Sequence, residues 1–371
     1  MHRISCMQPL TQMKMSEITH NQFRRESVLA PSILFDHDQE SWRMPGLKKQ
    51  LLILGTGQLA FDLGQVIRSK PWLMLHVVGF LDGAAEEAEE RLVEHRGIIG
   101  TYDQLAQVVK QHRVDTIAVC LADHRSVMPV QALLDFKTVG VDIVDGHHLF
   151  ETASGRLLID SLRPSALIFS TGFRRGLLSA MAKRFIDVAV SAVGLVMLIP
   201  LFGLIAALIR LDSPGSVLFK QIRVGLRGRL FSIWKFRSMQ QDAEKSGPRW
   251  AQANDPRISR VGWWLRKTRF DEIPQLVNVL RGDMSLVGPR PERPVFVQEL
   301  RSTIPYYDIR HTVRPGITGW AQVKFRYGAS AEDAHVKLQY DLFYVKNFSF
   351  LLDLKILANT IRVVLLGEGA H

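Results

Sequence analysis

An uncharged run of 22 residues, 188–209, limits the folds open to this chain more than any other feature of the sequence. A helix of that length is long enough to cross a bilayer, and few core helices are apolar on every face for so long. Pro200 lies inside the run and is expected to break or kink a helix there, because it lacks a backbone N–H. Basic residues flank both ends, with Lys183 and Arg184 before the run and Arg210 after it.

These flanks favour the same side of a membrane for both ends of the run, because basic residues stay on the cytoplasmic side. A re-entrant hairpin over about residues 183–209, bent at Pro200, satisfies that rule, whereas a single spanning helix does not. The alternative is a helix buried in a protein core. The sequence therefore predicts a monotopic membrane protein on the cytoplasmic face.

The net charge of +11 indicates anionic partners, which include nucleic acid, acidic lipid head groups and phosphorylated small molecules. Residues 210–237 hold seven basic residues and one acid, with aromatic residues between them, which is typical of an interface rich in phosphate. The uncharged run and the lack of a recognisable nucleic-acid motif argue against nucleic acid. The two cysteines, Cys6 and Cys120, lie far apart and favour a reducing compartment.

Strands alternate with helices along residues 48–145, and this order predicts a parallel, Rossmann-like sheet. Gly55 and Gly57 stand in Gly-Thr-Gly-Gln-Leu-Ala, which follows the first strand and approximates the dinucleotide fingerprint with alanine in the last place. Asp82 lies at about the right distance along the chain for a ribose contact. These three residues are candidates for binding a dinucleotide, and the alternative is a domain of this fold that binds nothing.

An adjacent acid pair, Asp271 and Glu272, is the strongest candidate for chemistry. Phosphoryl transfer needs a positioned nucleophile and neutralised phosphate charge. One carboxylate can act as nucleophile and form an acyl phosphate, while a second can hold Mg²⁺ together with substrate phosphates. The competing interpretation is that Asp271 only caps a helix, with Pro274 in its first turn and Gly282 at its end.

Basic residues outnumber acids by eight to four between positions 256 and 293, around the acid pair. Arginine binds phosphate through two parallel hydrogen bonds. Arg290 stands in a Gly-Pro-Arg-Pro turn whose prolines stiffen the backbone, and Arg314 opens a second turn rich in proline and glycine. Both are candidates for binding a substrate phosphate. An amphipathic helix is predicted near the C-terminus, between Phe350 and Leu365, either on the membrane or packed on its own domain.

Five motifs occur in order in the second half of the chain: KRFID (183–187), FKQIRVGLRG (219–228), KFRSM (235–239), DPRISRVGWWLRKTRFDEIPQLVNVLRGDMSLVGPRPE (255–292) and VRPGITGWAQV (313–323). With these motifs, residues 180–371 resemble the bacterial sugar transferases, the monotopic phosphoglycosyl transferases that start polysaccharide and glycoconjugate assembly. The upstream part looks like the Rossmann-like domain that precedes the transferase in the longer members.

The resemblance implies transfer of a sugar 1-phosphate from a UDP-sugar to a polyprenyl phosphate, such as undecaprenyl phosphate, with release of UMP at the bacterial inner membrane. It implies that Asp271 is the nucleophile of a covalent phosphosugar intermediate and that Glu272 binds Mg²⁺. Arg266 and Arg290 match arginines assigned to the substrate phosphates. Pro200 matches the proline at which the re-entrant helix turns.

We therefore predict an α/β protein with a disordered leader (1–47), a Rossmann-like parallel sheet (48–172) and a monotopic α/β transferase domain (173–371) with a re-entrant helix and interfacial amphipathic helices. We expect an enzyme that initiates exopolysaccharide or other glycoconjugate synthesis. Whether the protein forms homo-oligomers is left open. The alternative is a membrane-bound module for nucleotide sensing or scaffolding, without catalysis. The sequence does not identify the sugar.

Overall fold

The computed structural model describes residues 48–83, 97–121, 128–160, 164–173, 176–240, 243, 255–325 and 330–366. The predicted leader, residues 1–47, lies outside these described residues.

A parallel sheet of five strands in the order β3-β2-β1-β4-β5 forms the first part of the structure. The strands are β1 (Lys49–Leu54), β2 (Leu75–Asp82), β3 (Ile98–Thr101), β4 (Thr116–Val119) and β5 (Asp142–Asp145). All four pairings are parallel, which confirms the Rossmann-like sheet. The strand order changes direction between β1 and β4, so the carboxyl ends of these two strands form the crevice where such folds bind ligands.

Helices cover both faces of this sheet: α1 (Gln58–Ser69), α2 (Leu105–His112), α3 (Val130–Thr138) and α4 (Gly146–Ser154). Alternate residues of β1 point to opposite faces. Leu51 and Ile53 therefore pack with α1 and α4, while Leu52 and Leu54 pack with α2 and α3. The sequence did not predict β3, because only two apolar residues, Ile98 and Ile99, precede the glycine at position 100.

The second part of the structure is a mixed α/β arrangement around two small sheets, an antiparallel hairpin of β6 and β7 and a parallel pair of β8 and β9. Its elements are α5 (Pro164–Phe169), α6 (Leu177–Met197), α7 (Ile199–Asp212), β6 (Leu218–Val224), β7 (Leu230–Phe236), α8 (Arg260–Lys267), α9 (Gln275–Arg281), β8 (Ser285–Val287), α10 (Pro294–Thr303), β9 (Gly316–Thr318), α11 (Trp320–Lys324), α12 (Ala331–Lys346) and α13 (Phe350–Leu366).

Helices α6 and α7 contain the uncharged run and bend by 61° where they meet at Leu198. Within the described residues no single helix has the length and apolar character to cross a membrane, whereas this bent pair passes that test by length and composition. Pro200 lies in the first turn of α7, where its missing N–H breaks no helical bond. The predicted break is confirmed, and it falls two residues before the proline.

The outer surface of this bent pair is apolar and exposed. Its exposed side chains include Phe185, Val193, Met197, Leu204 and Leu211. A patch of this kind marks a surface that meets a membrane or a partner.

The inner side of the pair is attached to the rest of the protein. The Lys183 Nζ lies 2.6 Å from a carboxylate oxygen of Asp353, and Arg184 donates hydrogen bonds to the carbonyls of Val279 and Leu280. The two basic residues before the run are therefore used inside the protein, where they hold α6 against α13 and α9.

Helix α13, whose orientation the sequence left open, packs on its own domain through Ile356 and also leaves apolar residues exposed. The structure buries Asp353, where it accepts hydrogen bonds from Lys183 and from the Tyr344 hydroxyl. Phe350, Leu351 and other apolar residues lie exposed instead. The charge is tolerated inside because both partners satisfy it, and α13 presents an apolar surface outward.

Residues before position 172, the predicted end of the first domain, contribute to the core of the second part of the structure. Leu157 and Ile159, which follow α4, are buried in one apolar cluster with Tyr307, Leu338 and other residues of the second part. The Trp320 indole N–H donates to the carbonyl of Gly155 over 2.7 Å. The domain limits of the sequence analysis stay a prediction, but these contacts join the two cores.

Gly155 gives a test of this junction. Its φ is +75°, and a Cβ there would lie 3.1 Å from the Trp320 ring, whereas Gly140 has φ +96° and open space around it. We expect Gly155→Ala to lower the free energy of unfolding by about 1–2 kcal/mol from left-handed strain, plus about 1 kcal/mol from overpacking. Gly140→Ala, the matched control, should show only the first effect. Urea unfolding of both variants checks this, and equal losses would contradict it.

Candidate active site

The acid pair lies on a 3₁₀ turn, Phe270–Glu272, between α8 and α9. Helix α9 begins after this turn with Pro274 as its N-cap, and no side chain caps it. The helix-cap interpretation of Asp271 is therefore wrong. Gly282 ends α9 with φ 89°, as the sequence predicted.

Both carboxylates are buried, with 7% of Asp271 and 6% of Glu272 exposed. Glu272 Oε1 accepts hydrogen bonds from Lys235 Nζ over 3.0 Å and from Arg290 Nη2 over 2.7 Å. Asp271, by contrast, makes no hydrogen bond or ion pair with any other residue that the structure describes. The pair thus consists of one carboxylate fixed by two cations and one without such a bond among the described residues.

The pKa values of the two carboxylates are shifted in opposite directions. Burial alone would raise the pKa of Glu272, but the charges of Arg290, Lys235 and Arg269 outweigh it and hold that pKa below its ordinary value. Burial raises the pKa of Asp271, and the nearby Glu272 raises it further against the opposing charges of Lys235, Arg266 and Arg290. Glu272 is therefore a stable anion, while Asp271 is the more basic carboxylate.

Arg266 lies in the last turn of α8, at the same site. Its Nε donates to the Ser238 hydroxyl over 2.9 Å, and its charge lowers the pKa of Asp271. Its two terminal nitrogens have no hydrogen-bond partner within the described part of the chain. Binding of a substrate phosphate by Arg266 stays a prediction.

The two proline and glycine turns pack backbone against backbone. The Gly316 N–H donates to the carbonyl of Pro289 over 3.0 Å. A Cβ on Gly288 would lie 2.3 Å from the carbonyl oxygen of Arg314, so only glycine fits there. This packing fixes the turn that carries Arg290 beside Glu272.

The structure does not bring Arg314 to the acid pair in the same way. Its Nε donates to the carbonyl of Gly282 over 3.0 Å, at the carboxyl end of α9. A cation at that end is favourable because the last carbonyls of a helix carry partial negative charge. Binding of a substrate phosphate by Arg314 stays a prediction.

The N-terminal glycines lie in the crevice between β1 and β4. Gly55 has φ +109°, and a Cβ there would lie 2.8 Å from the carbonyl oxygen of Cys120, so the fold itself requires glycine. Gly57 is the N-cap of α1. Asp82 accepts hydrogen bonds from the Thr56 hydroxyl and from the Gly83 N–H, each over 2.7 Å. Dinucleotide binding by Gly55, Gly57 and Asp82 stays a prediction.

Sequence reasoning named no role for Lys235, although it stands in the KFRSM motif. It lies near the end of β7, directly opposite Phe219 on β6, and points to Glu272. Burial lowers the pKa of its amine, while the charge of Glu272 opposes that shift. No local signal was available, because the residues on either side of Lys235 point to the opposite face of the strand and its acid partner lies 37 residues away.

No group of three or more His, Cys, Asp or Glu side chains in the described ranges is arranged to hold a metal ion. Mg²⁺ needs less than that, since one or two carboxylates suffice when substrate phosphates and water complete its shell. Asp271 is unpartnered, and only Oε1 of Glu272 is bonded to described residues. The donor set therefore fits Mg²⁺ bound together with a phosphate.

Comparisons with known sequences identify the family of this chain. The profile of a family described as bacterial sugar transferase matches residues 178–367, and a profile described as a CoA-binding domain matches residues 30–144. The chain is 47% identical over 221 residues to a UDP-N-acetylgalactosamine-undecaprenyl-phosphate N-acetylgalactosaminephosphotransferase of Aeromonas hydrophila, covering 60% of this chain and 52% of the relative.

Two further relatives match over more of the chain. An undecaprenyl-phosphate glucose phosphotransferase of Komagataeibacter xylinus is 33% identical, covering 87% of this chain and 60% of the relative. A UDP-glucose:undecaprenyl-phosphate glucose-1-phosphate transferase of Escherichia coli (strain K12) is 32% identical, covering 86% of this chain and 67% of the relative. The chain thus spans about half to two thirds of the length of these curated relatives.

Proposed function

Because this chain belongs to the bacterial sugar transferase family, we propose that it transfers a sugar 1-phosphate from a UDP-sugar to undecaprenyl phosphate or another polyprenyl phosphate and releases UMP. One observation carries the proposal: Asp271 is buried and unpartnered among described residues, next to a Glu272 that Lys235 and Arg290 hold. A scaffolding module gives no reason to bury an unbonded carboxylate, which is costly.

In the proposed mechanism Asp271 is the nucleophile. Its carboxylate oxygen attacks the phosphorus that bears the sugar, the bond from this phosphorus to the UMP oxygen breaks, and UMP leaves with the electron pair. An oxygen of polyprenyl phosphate then attacks the same phosphorus. The bond to Asp271 breaks, the carboxylate is restored, and the product is a polyprenyl diphosphate sugar.

The cations neutralise the charge that moves during these two steps. The terminal N–H groups of Arg266 have no partner among the described residues, and its charge acts on Asp271. Arg290 and Lys235 hold Glu272 in place. Arginines and lysines placed before the reaction stabilise developing phosphate charge without reorganisation. Mg²⁺, when bound by Glu272 and Asp271, would neutralise charge on the diphosphate of the substrate.

The membrane partner follows from the exposed apolar surfaces. The outer faces of α6 and α7 and the exposed side of α13 are apolar, and the start of α6 is tied to α13 through Lys183 and Asp353. A bent pair with its ends on one side enters only one leaflet. We propose a monotopic enzyme on the cytoplasmic face of the inner membrane, where it meets a lipid phosphate.

Glu272→Gln tests the metal site. We expect the Mg²⁺ concentration for half-maximal activity to rise about tenfold or more, because the amide removes the negative charge that holds the ion. Glu299→Gln, at an exposed carboxylate on α10, is the control and should leave the titration unchanged. A Glu272→Gln titration that matches wild type would exclude Glu272 as a metal ligand.

Lys235→Met tests the electrostatics of the nucleophile through pH. The acidic limb of kcat/KM reports loss of the Asp271 carboxylate, and the Lys235 charge lowers the pKa of Asp271 against the effect of burial. Removing that cation raises the pKa of Asp271, so the acidic limb of kcat/KM should move to higher pH. Lys235→Arg keeps the charge and should move it less. A limb that stays in place, or moves to lower pH, would contradict this assignment.

The proposed function is tested directly by UMP release. Membranes containing the full chain are incubated with Mg²⁺, undecaprenyl phosphate and single UDP-sugars. The panel includes UDP-N-acetylgalactosamine and UDP-glucose, the sugars in the names of the relatives. We expect lipid-dependent UMP release with at least one of them. UMP release that is independent of the lipid, or absent with every sugar, would refute the proposal.

A further inference from the structure

A buried arginine, Arg310, holds the backbone of the turn that carries Arg290. It lies in the 3₁₀ helix Tyr307–Thr312 with 6% of its surface exposed. Its Nη2 donates to the carbonyl of Arg290 over 3.0 Å. Arg290 in turn donates to Glu272 over 2.7 Å. Arg310 is thus linked to Glu272 through Arg290, by one hydrogen bond to the backbone of Arg290 and one from its side chain.

Arg310 is itself fixed on two other sides. Its Nε and Nη2 donate to Asp341 Oδ2 over 3.1 and 2.7 Å, and its Nη1 donates to the Tyr307 hydroxyl over 2.7 Å. Asp341, on α12, is 2% exposed. The rigid fork of a guanidinium reaches three acceptors at once, which a lysine amine on a flexible stem does not do with the same geometry.

A stabilising role does not account for this arrangement by itself. A buried ion pair loses hydration, and replacing both partners by apolar residues is often neutral or stabilising for the fold. The prolines of the Gly-Pro-Arg-Pro turn restrict its torsions, and the Gly316 N–H fixes the carbonyl of Pro289. Arg310 adds a second fixed point, one residue further along, at Arg290 itself.

We propose that Arg310, anchored by Asp341 and Tyr307, is a positioning residue that sets the backbone of Arg290 and so keeps its guanidinium on Glu272. The inference rests on the proposed function, because its effect is read in turnover. Arg310 touches neither carboxylate of the acid pair and acts only through Arg290.

The test removes the buried pair without leaving an uncompensated charge. In the double variant Arg310→Met/Asp341→Leu, we expect a thermal unfolding midpoint close to wild type. The kcat for UMP release should fall about 10- to 100-fold, the range seen when supporting residues of a site are lost. The KM for the UDP-sugar should change less than kcat. An unchanged kcat in the folded double variant would overturn the proposal.

A double-mutant cycle with Arg290→Ala separates positioning from general damage. If Arg310 acts through Arg290, adding Arg310→Met/Asp341→Leu to Arg290→Ala should lower kcat no further, because the group being positioned is gone. Two losses that multiply would overturn the proposal, since they would show that the buried pair acts independently of Arg290.

A matched control removes another buried pair on the same helix, Lys346 with Glu151. Glu151→Gln/Lys346→Met leaves the Arg290 turn untouched, so its kcat should stay within about twofold of wild type. A kcat loss as large as that of the Arg310 variant would overturn the proposal. Wild-type turnover in the same assay tests the proposed function. A wild type without turnover would count against that function, whereas an Arg310 variant with the wild-type kcat would count against positioning by Arg310.

Discussion

Asp271→Asn is expected to abolish turnover, with a fall in kcat of at least about 10³-fold. An amide is a poor nucleophile towards phosphorus and cannot form the acyl phosphate. The substitution keeps the shape of the side chain, and Asp271 makes no hydrogen bond within the described ranges that the change would break. The fold and the binding of UDP-sugar should therefore survive, which thermal unfolding and a binding assay can show.

The same variant decides whether the intermediate is covalent. Wild-type protein incubated with a UDP-sugar labelled in the sugar, without lipid acceptor, should retain label after denaturation, and Asp271→Asn should retain none. Asp308→Asn, at a carboxylate more than half exposed in the same part of the chain, is the control and should be labelled like wild type. Full activity of Asp271→Asn would exclude the mechanism, and label on that variant would place the adduct elsewhere.

Val193→Lys/Leu204→Lys is expected to release the protein from membranes. The two positions lie on α6 and α7 with 59% and 57% of their surface exposed. A lysine near the centre of a bilayer costs about 2.5–3.5 kcal/mol. Two such changes would weaken partitioning by roughly 10³- to 10⁵-fold. Flotation with liposomes of bacterial lipid measures this directly.

The matched control places the same two lysines on the Rossmann-like part. Leu134 and Val139 are 52% and 75% exposed, so Leu134→Lys/Val139→Lys changes net charge and apolar area in a similar way. This control should still float. If the variant in α6 and α7 floats as well as the control, the bent pair does not enter the bilayer.

Periodicity predicted the parts of the fold that depend on local pattern. The parallel sheet, the bent apolar pair and the glycine that ends α9 were all predicted, because each is set by residues close together in the chain. The strand β3 was missed because Gly100 interrupts its apolar pattern after two isoleucines. The motif order indicated the family, and the family profile confirmed it.

Side-chain orientation was harder to predict. Asp353 is a charged residue on an amphipathic helix, yet it is buried with Lys183, which lies 170 residues earlier in the chain. Lys235 looked like one more basic residue, yet it pairs with Glu272 across 37 residues. Neither contact was predicted, because the partners of these charges are distant in sequence and no local pattern encodes such a pair.

The sequence by itself determined that this chain has a Rossmann-like sheet, an apolar run that bends and an acid pair among arginines, because spacing and composition act locally. Only the tertiary structure decided which of the two acids is held and which is free. It did so by bringing Lys235 and Arg290, from separate elements, onto the same oxygen of Glu272. Hydrogen bonds and burial at a site depend on distances in space, so the different surroundings of Asp271 and Glu272 are a property of the fold.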